Sequence, residues 1–134
     1  MKQIIKTFLV AAALLTSVAA MGQNQGYDVF IPISKYLSQG NSENLSAWFY
    51  DNLEISILNN TGNASKSQAK QILKSFFDNH TPRSFDITHN ASQDKMKYAL
   101  GTLNAGGERF TVTILVNYDG TSYKIQQLKI DRQN

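Results

Sequence analysis

From Arg83 onward, apolar residues recur at every second position through four successive runs, and this switch from helical to two-residue spacing limits the fold more than any other feature. The runs cover residues 84–90, 95–104, 109–118 and 123–132. Ser92-Gln93-Asp94, Ala105-Gly106-Gly107 and Asp119-Gly120 separate them. Gly-Gly and Asp-Gly tolerate the backbone of tight hairpin turns, so four antiparallel neighbouring strands are predicted. In the third run Phe110, Val112, Ile114, Val116 and Tyr118 share a face, and Met96, Tyr98 and Leu100 of the second are expected beside them. In the last run Tyr123 and Ile125 are in phase, whereas Leu128 and Ile130 are displaced by one. A bulge near Gln126-Gln127 would bring them back to one face.

Helices precede these strands. Val29, Phe30, Ile33, Tyr36 and Leu37 follow helical spacing up to Gly40, a natural stop, with Pro32 near the start. Asn41 or Ser42 caps a second short helix expected to bury Leu45, Trp48 and Phe49. A strand over residues 53–58 and a Thr61-Gly62-Asn63 loop come next. Ser65 and Gln68 then stand at capping-box spacing ahead of Ala69, Ile72, Leu73, Phe76 and Phe77. Lys66, Lys70 and Lys74 mark the opposite face of this helix, read as a solvated surface. Helices followed by an antiparallel meander define an α+β, two-layer fold with N-terminal helices packed on a strongly bent antiparallel sheet. No repeat, low-complexity tract or linker divides residues 23–134, which read as a single domain.

The N-terminus carries an export pattern: Lys2 and Lys6 precede an apolar run over residues 8–20 that closes on small residues. That run is too short for a hydrocarbon core of about 30 Å, so residues 1–22 read as a cleaved secretory peptide rather than a membrane anchor. Cleavage after Gly22 is favoured over cleavage after Ala20. The protein is accordingly expected in the periplasm or outside the cell. Of the 13 Lys and Arg, Lys2 and Lys6 leave with the peptide, so the remainder nearly balances the 10 Asp and Glu. A balanced charge removes the main argument for nucleic-acid binding. With no cysteine there is no disulfide, thiolate metal site or lipid-bearing residue. Cysteine-free export suits a bacterial chain, and in one rich in Asn and Ser the Asn-x-Ser/Thr triplets at Asn44, Asn63, Asn79 and Asn90 are read as chance.

The runs Phe30-Ile31-Pro32-Ile33, Ser65-Lys66-Ser67-Gln68-Ala69 through Phe76-Phe77, Tyr98-Ala99-Leu100-Gly101-Thr102-Leu103 and Tyr123-Lys124-Ile125-Gln126-Gln127-Leu128 carry a resemblance, as does the Gly40-Asn41 junction. The chain resembles a family of exported bacterial proteins called domain of unknown function 4783. That family is similar to the nuclear-transport-factor-two-like superfamily, which includes polyketide cyclases, ketosteroid isomerase and scytalone dehydratase. The resemblance implies a cystatin-like, nuclear-transport-factor-two-like cone around a pocket. It implies fold only, because function lives in the site a fold carries.

Enzymes of that superfamily place a carboxylate base or an Asp-His pair on inward strand positions, opposite donors such as Tyr. By strand phase the inward polar candidates are His89, Tyr98, Thr102 and Gln127, taken as ligand-pocket residues. No carboxylate is in phase with them: Asp86 alternates away from His89, and Glu54 from Leu53, Ile55 and Ile57. No residue is therefore assigned a catalytic role. His80 and His89 lack metal-ligand spacing, Gly106-Gly107 lacks the Lys-Ser/Thr of a phosphate loop, and no Gly-x-Ser-x-Gly occurs, so no metal or cofactor is expected. Three readings follow. The leading one is a non-catalytic module binding a small apolar or amphipathic ligand. The second is an interaction domain, a homodimer through the sheet face given to Leu103, Thr113 and Leu115, with Ala99, Gly101 and Thr111 alongside; sheet-to-sheet pairing is also common in the superfamily the chain resembles. The third is a cyclase, isomerase or dehydratase-type enzyme using His89 with Tyr98.

Overall fold

In the computed structural model, which describes residues 28–133, the chain runs α1 (Phe30–Gln39), α2 (Ser42–Ser46), β1 (Phe49–Ile57), β2 (Asn60–Ser65), α3 (Lys66–Asn79), β3 (Pro82–Gln93), β4 (Met96–Ala105), β5 (Glu108–Tyr118) and β6 (Tyr123–Arg132). The expected export segment, residues 1–22, lies outside the described residues. No described helix is long and apolar enough to cross a membrane.

Each helix end has a local cause. Asp28 Oδ1 accepts the Phe30 N–H at 2.9 Å, and Pro32 falls in the first turn, where its missing N–H costs nothing. Gly40 ends α1 at φ 68°, a left-handed conformation that glycine adopts without a Cβ penalty. Asn41 caps α2 through the Asn44 N–H. Ser65 and Gln68 form the predicted reciprocal capping box of α3. Its buried face is Ala69, Leu73, Phe76 and Phe77; Ile72, expected among them, is 40% exposed.

The sheet order is β2-β1-β6-β5-β4-β3, antiparallel throughout except that β1 and β6 run parallel. Leu115 pairs with Gln127 while Val116 pairs with Ile125, so Gln126 is the extra residue of the predicted bulge. One sheet face meets the helices. Phe110, Val112, Ile114 and Val116 of β5 and Ile125, Leu128 and Ile130 of β6 are fully buried there, each worth roughly 1.5–3 kcal/mol relative to exposure.

Several expectations are corrected. Thr61-Gly62-Asn63, read as a loop, falls within β2, because β1 offers a full ladder of partners from Asn52 to Ile57. Phe49 starts β1 instead of closing a helix. The facing of β4 is reversed. Gly106 and Gly107, at φ 60° and 80°, make a two-residue turn, so Leu103 pairs with Phe110, Gly101 with Val112 and Ala99 with Ile114. Ala99, Gly101 and Leu103 therefore belong to the core face, and Leu103 is fully buried rather than available to a partner. Tyr98, Leu100 and Thr102 lie on the face turned away from the helices, with Leu115, Thr113 and Thr111.

Candidate functional site

The four residues expected to line a pocket share the sheet face away from the helices. A register shift between Ile87 and His89 turns His89 out of phase with Phe85, and it stands exposed beside Leu100. Tyr98 and Gln127 flank Leu115, all three half-buried. Gln127 Nε2 donates to Glu54 Oε2 at 3.2 Å, and Thr102 Oγ1 accepts from Gln133 Nε2 at 3.0 Å. The inward facing given to these residues is thus corrected: they lie on an open surface, His89 and Thr102 in other rows than Tyr98 and Gln127, and Gln127 borders a depression of about 260 Å³ with Glu54 and Leu115.

A groove with an apolar floor lies elsewhere. Between α3 and the β1–β2 hairpin runs a groove of about 520 Å³, within the roughly 300–1,000 Å³ of small-ligand sites. Its floor is Ile55 and Ile57 of β1; its helical wall is Ile72 and Phe76, with Ser75 and Asn79 at the lip. It exists because β2 is small on its core face. Asn60, Gly62 and Ala64 pair with Ile57, Ile55 and Leu53, and a Cβ built on Gly62 would meet nothing within 4 Å. A strand with large residues there would close the gap. Asn60, Thr61 and Asn63 add uncharged hydrogen-bonding groups.

His80 closes one end of the groove. Its ring stacks on Phe76 at 4.7 Å between centroids and meets Phe110 edge-on at 5.3 Å. Nδ1 lies 3.2 Å from Phe76 O, where an Nδ1–H would donate to the carbonyl. Nε2 is 3.8 Å from Glu108 Oε2, too far for a hydrogen bond. Arg132 Nε donates to Glu108 Oε1 at 2.8 Å, and this bond, with the guanidinium charge, holds the Glu108 carboxyl below its usual range. A base for proton transfer needs a partner in reach, and no carboxylate lines the groove. Among the described residues, no three His, Asp or Glu side chains gather around a common point fit for a metal ion. Spacing gave Ile72 to the core face and gave His80 no place at a site. The available signal was the four-residue ladder Ile72, Phe76, His80, which places all three along one stripe of α3 and its end.

A model of the family described as domain of unknown function (DUF4783) matches residues 30–131. Among solved structures, a DUF4783 family protein from Bacteroides uniformis is similar at 26% identity and a TM-score of 0.76, over 80% of this chain and 99% of that one. A protein of unknown function with a cystatin-like fold from Nostoc punctiforme aligns at 10% identity and a TM-score of 0.63, over 78% of this chain and 73% of that one. An NTF2-like protein of unknown function from Shewanella baltica aligns at 10% identity and a TM-score of 0.60, covering 79% and 89%. The last two show the fold alone, which is the cystatin-like, NTF2-like α+β architecture expected from the sequence. No curated protein matches the chain.

Proposed function

The chain belongs to the DUF4783 family, and from that premise we propose that it is an exported binding module, without chemistry of its own, whose groove takes a small apolar or amphipathic ligand. The observation that carries the reading is the groove itself, with an apolar floor, an uncharged polar rim and no carboxylate. Export rests on the segment over residues 1–22, and N-terminal sequencing of secreted protein should begin at Gln23. Recovery of membrane-bound protein still carrying Met1 would refute it.

Gly62→Leu tests the groove. The substitution meets open space and no positive φ, so it should fill the site while leaving the melting temperature unchanged or higher. Anilinonaphthalene sulfonate should fluoresce with the wild type and lose most of that enhancement with Gly62→Leu. Equal response from both proteins would defeat the reading.

A second reading, homodimerisation through the sheet, is favoured by one observation: Tyr98, Leu100 and Leu115 cluster with Thr102, Thr111 and Thr113 on a face with no helix over it. Thr113 and Leu115 stay in this proposal, with Leu100 where Leu103 had been expected. Sedimentation should show a dimer for the wild type and a monomer for Leu115→Lys; a monomeric wild type at micromolar concentration ends it.

A further inference from the structure

The two edges of the sheet are guarded very differently. On β3, Pro82 lacks an N–H, Arg83 and Asp86 bring charge, the ladder is broken between Ile87 and His89, and α1 packs alongside. These are the devices that keep an edge from pairing with another chain. On β2, the run Asn60-Thr61-Gly62-Asn63-Ala64-Ser65 has no charge, no proline and an unbroken register with β1. Among the described residues its outer side has no backbone hydrogen-bond partner.

This unguarded edge borders the groove. We propose that β2 and the groove together bind an extended peptide, added as a further strand against β2 with every second side chain entering the space beneath α3. The proposal rests on the groove being a binding site, as argued above, and names what occupies it. Six residues of β2 at about 3.3 Å each match the length of α3 at about 1.5 Å per residue over its 14 residues, so peptide and helix run side by side for the whole site. Main-chain pairing supplies affinity, and the pockets for alternate side chains supply choice. Side chains pointing inward would rest on Ile55 and Ile57 and against Ile72 and Phe76.

Charge narrows the partner. Past Asn63, Ala64 and Ile72 the groove continues into a depression lined by Ser67, Gln68, Lys70 and Gln71. Lys70 is the one lysine or arginine lining either stretch, and no carboxylate lines them. Its present partner, Glu43 at 3.3 Å, has a side chain 77% exposed, and such surface pairs are weak and easily exchanged. The peptide is therefore uncharged along most of its length, with an acidic group at the end beside Ser67 and Lys70.

Selection from a displayed library of random heptapeptides against the folded protein provides the probe. Enriched peptides should alternate apolar residues with others and carry Asp or Glu near one end. Gly62→Leu should weaken a synthesised winner by more than about 10-fold in fluorescence anisotropy. Lys70→Gln should weaken it about 2- to 5-fold, a difference that vanishes at high salt. N-methylation of every second backbone nitrogen should abolish binding in one phase and spare it in the other, because one edge of the peptide faces β2. Ile72→Ser, at a position already 40% exposed, repeats the groove test should Gly62→Leu fold poorly. Equal binding by both N-methyl phases, or no enrichment while anilinonaphthalene sulfonate still distinguishes Gly62→Leu from wild type, overturns the peptide and leaves the groove. Failure of dye and peptide alike to distinguish that variant overturns both.

Discussion

Replacing Phe76 by alanine probes the helix-to-sheet contact and the groove wall together. The side chain is 4% exposed, edge-on to Phe110 at 5.1 Å and to Phe77 at 5.9 Å, and stacked on His80. A Phe→Ala change in a core costs about 3–5 kcal/mol, part of it for the cavity left behind. Here one side of the ring borders an open groove that water can enter, which reduces the cavity part and sets the expectation near about 3 kcal/mol. Ile72, one turn earlier and 40% exposed, has less to lose. Full burial of such a side chain is worth roughly 1.5–3 kcal/mol, so partial burial puts Ile72→Ala near about 1 kcal/mol. Lys70→Ala, at a half-buried flank position whose ion pair with Glu43 is exposed on the Glu43 side, should stay within about 1 kcal/mol. Urea unfolding followed by fluorescence of Trp48, the single tryptophan and packed against the core, gives all three values. If Phe76→Ala and Ile72→Ala cost the same with unchanged slopes, the placing of Phe76 in the core and Ile72 at the open side of the groove wall is wrong.

Leu103→Lys should cost more than about 4 kcal/mol or prevent folding, since it buries a charge on the core face; Leu100→Lys, three residues away on the other face, should cost under about 1 kcal/mol, and circular dichroism melts compare them. Gly101→Ala should cost about 1–3 kcal/mol in the same assay, because its Cβ would stand 2.5 Å from Phe85 Cζ and 2.7 Å from Asp86 O. The Glu108 carboxyl is held low by Arg132, so its contribution is present above the ordinary carboxylate range and is lost as pH falls through the folded value. Stability measured against pH should show a flatter acid limb for Glu108→Gln and an unchanged limb at alkaline pH; a change confined to the alkaline side would contradict the Arg132 pairing.

Elements whose signals are local were legible in the sequence. Gly40, Asn41 and the Ser65–Gln68 pair mark helix ends through their own hydrogen bonds, and the phase slip between Ile125 and Leu128 announced the bulge at Gln126. The facing of β4 was misread for a packing reason. The Phe85 ring lies over Gly101, so the core side of that strand is built from Ala99, Gly101, Leu103 and Ala105, only one of them large, and the bulky Tyr98 and Leu100 fall outside. Matching by bulk put the wrong face inward, whereas counting outward from Gly106-Gly107 gives the right one. The strand β2 was hidden because Asn-Thr-Gly-Asn has little strand preference of its own and is held by β1. The groove could not be read because it is a gap: nothing in the spacing of Asn60, Gly62 and Ala64 says that the helix above fails to fill it.

The position of β6 governs when this protein can fold. It is the last of the described elements, yet it lies between β1 and β5, joining the β1–β2 hairpin to the β3–β4–β5 meander. A chain emerging from the ribosome can form both of those pieces early from neighbouring residues, but each ends in a bare inner edge, Ile55 and Ile57 on one side and Val112 and Ile114 on the other. Only the arrival of Tyr123–Arg132 satisfies both, through contacts that span most of the domain, and such long closures are slow. Until then the nascent protein offers two apolar strand edges to any neighbour, which makes its unfinished state the one most in need of a chaperone.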